Sequence, residues 1–143
     1  MLDLIMENFE LRGQDVRSYS PLTLAYIGDA VYELVIRTLV VEQGNRPVNK
    51  LNNMTIACVK AGAQARMMEL LREELTEEET DVYKRGRNAK PATKAKNASM
   101  GDYHRATGFE ALMGYLYLTG RNERMLELIR RGRELVREED ARG

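Results

Sequence analysis

The chain has 143 residues, enough for one hydrophobic core and short for two. Its 43% apolar and 31% charged residues exclude a disordered chain, and no run approaches the roughly eighteen uninterrupted apolar residues of a membrane span. Acids and bases balance at 22 each, while a single cysteine, Cys58, and a single histidine, His104, exclude an internal disulfide and a zinc centre.

The first fifteen residues read as a short helix or an ordered arm. They lack the basic start and apolar run of a secretory leader, so none is expected. Ser20 followed by Pro21 predicts a helix start, with a hydroxyl cap and a proline at the first helical position. That helix should run to about Gln43 and stop at Gly44 and Asn45. Its apolar residues (Leu22, Leu24, Ile27, Val31, Leu34, Val35, Leu39) cover most sides, which predicts a central, buried helix. Pro47 opens a second helix, with Leu51, Met54, Cys58 and Ala61 at helical spacing, and Gly62 is expected to interrupt it before Met67 to Leu71. Cys58 reads as a buried free thiol in a reducing cytoplasm. Thr76 with Glu79 has capping-box spacing and starts a helix through about Arg85. Gly86 to Gly101 lacks apolar periodicity and reads as a basic loop. Asp102 to Leu118 is again strongly apolar and ends at Gly120. A last amphipathic helix, Arg121 to Glu139, should bury Leu126, Ile129 and Val136. No segment alternates with period two, so the expected fold is all-α, a single domain over residues 1–143.

The zero net charge hides a segregation. Between Lys84 and Arg105 lie seven basic residues and one acid, Asp102, whereas Glu69 to Asp81 holds seven acids and one base, Arg72. Such clustering creates a local positive field suited to a polyanion. The plain alternative is that the two stretches pair with each other.

Two acids stand in the wrong company. Asp29 lies in the most apolar helix beside Ala25, Gly28 and Ala30; Glu110 lies in the next most apolar, beside Ala106, Ala111 and Gly114. A carboxylate in apolar surroundings is costly unless it is paired, hydrogen-bonded or bound to a cation. The small neighbours would let the two helices approach and bring both acids together. Oxygen ligands of this kind suit Mg²⁺, and the chemistry that follows is metal-assisted hydrolysis of a phosphodiester. Glu33, one turn after Asp29, could join the site or pair with Arg37.

Leu24-Ala25-Tyr26-Ile27-Gly28-Asp29-Ala30-Val31 resembles the signature helix of the ribonuclease III catalytic domain, and Phe109 to Leu118 resembles that family's second acidic helix. The Arg85 to Lys90 and Ala61 to Ala65 segments are similar to the mini-ribonuclease III subgroup, which lacks a double-stranded-RNA-binding domain. The resemblance covers about residues 20–120. It implies a ribonuclease III endonuclease-domain-like helical bundle and a cytoplasmic homodimer whose signature helices help form the interface. It also implies that Asp29 and Glu110 hold a catalytic Mg²⁺, with no small-molecule cofactor and no membrane. The implied substrate is double-stranded RNA, for this subgroup precursor 23S (large-subunit) ribosomal RNA. Larger members carry acids where this chain has Ala25 and Thr107, so its site has two carboxylates in place of four.

An A-form duplex is read through shape, phosphates and 2′-hydroxyls. Arg85, Arg87, Lys90, Lys94 and Lys96 are the expected RNA-binding residues. The alternative is a non-catalytic RNA-binding or ribosome-assembly protein of the same fold, which would have no use for both Asp29 and Glu110. A third reading, a helical hydrolase of small nucleotides, rests only on the spacing of Glu74 and Glu77.

Overall fold

A computed structural model describes residues 1–89 and 99–143; Lys90, Lys94 and Lys96 lie outside the described residues. Among the described residues the chain forms seven α-helices and no strand. They are α1 (Leu2–Asn8), α2 (Pro21–Glu42), α3 (Val48–Val59), α4 (Ala61–Leu71), α5 (Glu77–Arg87), α6 (Met100–Leu118) and α7 (Asn122–Arg142). No helix among them is long and apolar enough to cross a membrane.

Local chemistry sets most of the boundaries. The Ser20 hydroxyl accepts from the Thr23 amide at 3.2 Å and caps α2. Thr76 and Glu79 form the expected capping box, each side chain accepting the other's amide, at 3.1 and 2.9 Å. Ser99 accepts from the Asp102 amide at 3.0 Å, so α6 begins at Met100 rather than at Asp102. α5 runs on to Arg87, so Gly86 and Arg87 are helical, as are Met100 and Gly101, against the expectation of a loop from Gly86 to Gly101. Gly86 belongs to α5 because a Cβ there would come within 2.9 Å of the Gly108 Cα; its role is close packing of α5 on α6. The break between α3 and α4 falls at Lys60, whose ψ of 152° turns the chain, whereas Gly62 sits in the first turn of α4. At the end of α6, Gly120 takes φ +74°, which lets Arg121 donate to the Leu116 carbonyl at 2.8 Å.

α6, not α2, is the central helix. Phe109, Leu112, Met113 and Leu116 are fully buried, and α6 touches α2, α4, α5 and α7. Tyr32 of α2 meets Phe109 edge-to-face, with ring centroids 4.9 Å apart. α2 buries only one side, through Leu24, Tyr32, Ile36 and Val40, and leaves Leu22, Tyr26, Leu34, Leu39 and Val41 exposed. On α7 the buried residues are Met125, Leu128, Ile129 and Gly132, so Leu126 faces outward, against expectation. Cys58 is half-buried.

The acidic stretch finds partners on α7 and on Arg121 just before it. Glu74 pairs with Arg131 at 2.9 Å, Glu78 with Arg121, and the fully buried Glu79 with Arg124 at 2.8 Å. Glu69 pairs with Arg105 of α6 at 2.8 Å.

Candidate active site

The site lies where α2 crosses α6. A Cβ built on Gly28 would stand 1.7 Å from the Glu110 carbonyl oxygen, and one built on Gly114 would stand 2.0 Å from the Leu24 carbonyl oxygen. Each helix thus lays a glycine against the backbone of the other. This contact is the most extensive between any two helices of the fold. Asp29 follows Gly28 directly, and Glu110 owns the carbonyl that Gly28 meets, so the crossing carries both carboxyl groups to one place.

Their environments differ. Asp29 is exposed, a correction to the expectation of two interior acids; Glu110 is mostly buried. Burial, then the negative charge of Asp29, then a hydrogen bond with Asp29 push the Glu110 carboxyl up to about 8, while a hydrogen bond with Gln64 acts the other way. Near neutral pH the pair therefore holds a proton on Glu110. A dication bound between them would reverse that preference, because its field favours both oxygens ionised.

The residues present fit a hard cation. Mg²⁺ takes one or two carboxylates and keeps several waters. Among the described residues no group of three His, Cys, Asp or Glu is close enough to hold a metal, so Asp29 and Glu110 stand as a pair. Glu33 accepts from Arg37 at 3.2 Å, one of its two expected roles. Thr107 spends its hydroxyl on the Tyr103 carbonyl at 2.9 Å.

Beside Glu110 opens a cleft of about 210 Å³ bounded by Val59, Ala61, Gln64, Tyr103, Thr107 and Glu110. Gln64 was legible only as part of a short motif; the signal that marks it is a polar residue at a core register of α4, ahead of Met67, Met68 and Leu71.

Of the expected RNA-binding residues, two fall on described backbone. Arg85 lies 3.7 Å from Asp81 on its own helix. Arg87 has no carboxylate at ion-pair distance among the described residues; its guanidinium lies 5.6 Å from the centre of the buried Tyr83 ring. With Asn88, Ala89 and His104, Arg87 lines an open cleft of about 440 Å³. The acidic stretch does not neutralise Arg87, since its partners are Arg85, Arg105, Arg121, Arg124 and Arg131.

Comparison with known proteins agrees with this geometry. A family model described as the ribonuclease III domain matches residues 22–121, which contain both helices of the crossing. A Clostridium tetani protein named Mini-ribonuclease 3 is 50% identical over 122 residues, covering 85% of this chain and 81% of that protein. A protein of the same name from Thermoanaerobacter sp. (strain X514) is 48% identical, covering 93% of this chain and 94% of that one. A crystal structure of a Fusobacterium nucleatum protein superposes with a TM-score of 0.76 at 32% identity, covering 82% of this chain and 96% of that one. The chain belongs to the ribonuclease III family and is an endonuclease of the ribonuclease III type.

Proposed function

We propose that this chain is a Mg²⁺-dependent endonuclease that cuts double-stranded RNA as a cytoplasmic homodimer, and that its substrate is precursor 23S ribosomal RNA. The observation that carries the reading is the meeting of Asp29 and Glu110 at a crossing of two glycines. Residues 1–143 act as one domain, since α7 packs into the same core as the helices of the family match.

Mg²⁺ held by the two carboxylates supplies an activated water and neutralises charge growing on the scissile phosphate. The protein's own groups prepare for that step. Asp29, open to solvent, faces the incoming strand. Glu110, which burial and Asp29 keep protonated near neutral pH, would hold the cation in its ionised form, and its proton would then pass to solvent. Arg85, Arg87 and the lysines Lys90, Lys94 and Lys96 hold backbone phosphates. Products carry 5′-phosphates and 3′-hydroxyls with short 3′ overhangs.

The homodimer reading draws support from α2. Leu22 and Tyr26, both exposed in the single chain, share a helix face with Asp29 and Glu33. Pairing two copies through this face would place two sites along one valley, each cutting one strand.

The test is cleavage of duplex and single-stranded RNA with and without Mg²⁺, with the ends mapped on precursor 23S RNA. Asp29→Asn should abolish cleavage and leave duplex binding intact; full turnover by this variant refutes the assignment. If six to ten phosphates are contacted, affinity should fall about 10³- to 10⁵-fold between 50 and 200 mM salt. Neutralising Arg85, Arg87 and Lys90 together should flatten that slope, and an unchanged slope removes them from the interface. A non-catalytic binder has no reason to keep two carboxyl groups in contact.

A further inference from the structure

Gln64 occupies a core position. It lies one turn before Met67 and Met68 and two before Leu71 on the buried side of α4, and it is only 1% exposed. Its Nε2 donates to the carbonyl of Val59, the last residue of α3, at 2.9 Å across the Lys60 turn. That bond settles which end of the amide is nitrogen. The other end, Oε1, is buried and has no donor among the described residues. Buried amide oxygens are rarely left so.

The Thr107 hydroxyl is not the missing donor. Gln64 lines the cleft with Thr107 and Glu110. Thr107 has already given its single hydroxyl proton to Tyr103. A cleft of about 210 Å³ with polar walls has room for ordered water, which needs two or more polar partners.

We propose that Gln64 is a positioning residue of the active site: its Oε1 holds a water molecule whose second hydrogen goes to the Glu110 carboxylate. The proposal rests on the reading of Asp29 and Glu110 as cation ligands. A water that donates both hydrogens presents only lone pairs to its remaining side, the orientation that a hard dication requires of its hydration shell. The neutral amide serves where a carboxylate would add a third negative charge to the pair. Gln64 thereby orients Glu110 from behind and couples the α3–α4 joint to the site.

Two substitutions separate this role from a merely structural one. Gln64→Leu and Gln64→Glu both lose the amide donor to Val59 and to Glu110, but only Gln64→Glu keeps an acceptor for the water. The measurement is Mn²⁺ affinity of the RNA-free protein by calorimetry, at a temperature where all variants are folded. Gln64→Leu should bind Mn²⁺ about ten- to a hundredfold more weakly, and Gln64→Glu within about threefold of the unsubstituted protein or tighter. In single-turnover cleavage Gln64→Leu should lower the rate with unchanged duplex affinity, and raised Mg²⁺ should restore part of it. Unchanged Mn²⁺ affinity in Gln64→Leu overturns the proposal; equal weakening in both variants overturns it too, and leaves Gln64 as a joint of α3 and α4. Asp29→Asn is the separate control: if it binds Mn²⁺ undiminished, the cation site itself is misassigned, whatever Gln64 does. Should Gln64→Leu fail to fold, a high-resolution crystal structure of the unsubstituted protein decides, since a water bridging Gln64 Oε1 and Glu110 must be present.

Discussion

Replacing Gly28 with alanine tests the link between helix packing and site geometry most directly. The added Cβ would lie 1.7 Å from the Glu110 carbonyl oxygen and 2.7 Å from the Gly114 amide nitrogen, both backbone atoms of α6 that cannot rotate away. Real Cβ contacts essentially never fall below 3.0 Å, so α2 and α6 must part by at least about 1.3 Å. Overpacking in a tight core costs about 1–3 kcal/mol when side chains can adjust, and this rigid case belongs at or above the upper end. For a domain of this size a loss of about 3 kcal/mol lowers Tm by roughly 10 °C. The same separation moves Asp29 away from Glu110, and a misplacement of about 1 Å costs on the order of 100-fold in rate. Thermal denaturation and single-turnover cleavage below the variant's Tm measure the two effects separately. Gly62→Ala is the control, since its Cβ would meet nothing closer than the Asp102 carboxylate at 3.5 Å; it should be neutral or slightly stabilising. A Gly28→Ala variant with both Tm and rate near those of the parent would refute the account of the crossing.

Glu110 gives the metal-free protein a pH-dependent stability. Its carboxyl is raised from 4.5 to about 8, so the contribution is fully present below about pH 4.5 and is lost as the pH rises towards 8. Urea denaturation in EDTA should show stability falling by a few kcal/mol across that window, and Glu110→Gln should remove this fall; parallel curves would contradict it. Arg124 neutralises the buried Glu79, and Arg124→Ala should cost about 3 kcal/mol in chemical denaturation, with Glu79→Gln recovering part of it. Simple additivity of the two changes would refute that pairing. Tyr26 is 82% exposed in the single chain, so Tyr26→Glu should leave the protomer folded while sedimentation shifts from dimer to monomer. A dimer that persists unchanged places the interface elsewhere.

The helix starts after Ser20 and Thr76 were legible because capping is local: each side chain satisfies an amide three residues on, whatever the rest of the chain does. Ser99 caps α6 in the same way, but the basic, aperiodic stretch around it hid that start. The convergence of Asp29 and Glu110 was legible for a related reason, since small residues around each acid announce helices that approach closely. Local chemistry misled where neighbours decide. Gly86 reads as loop yet packs inside α5, and the break expected at Gly62 falls at Lys60.

By itself, then, the amino-acid sequence determined an all-helical chain, its caps at Ser20 and Thr76 and the two acids that meet where α2 crosses α6, all properties set by spacing and by residues within a turn of one another. Tertiary structure alone decided that α6 rather than α2 is the hub, that Arg124, 45 residues away, neutralises Glu79, and that Gln64 ends beside Glu110. Those outcomes depend on which surfaces meet. An apolar stripe such as that of α2 shows that a helix wants partners without showing which side the chain's own core will cover.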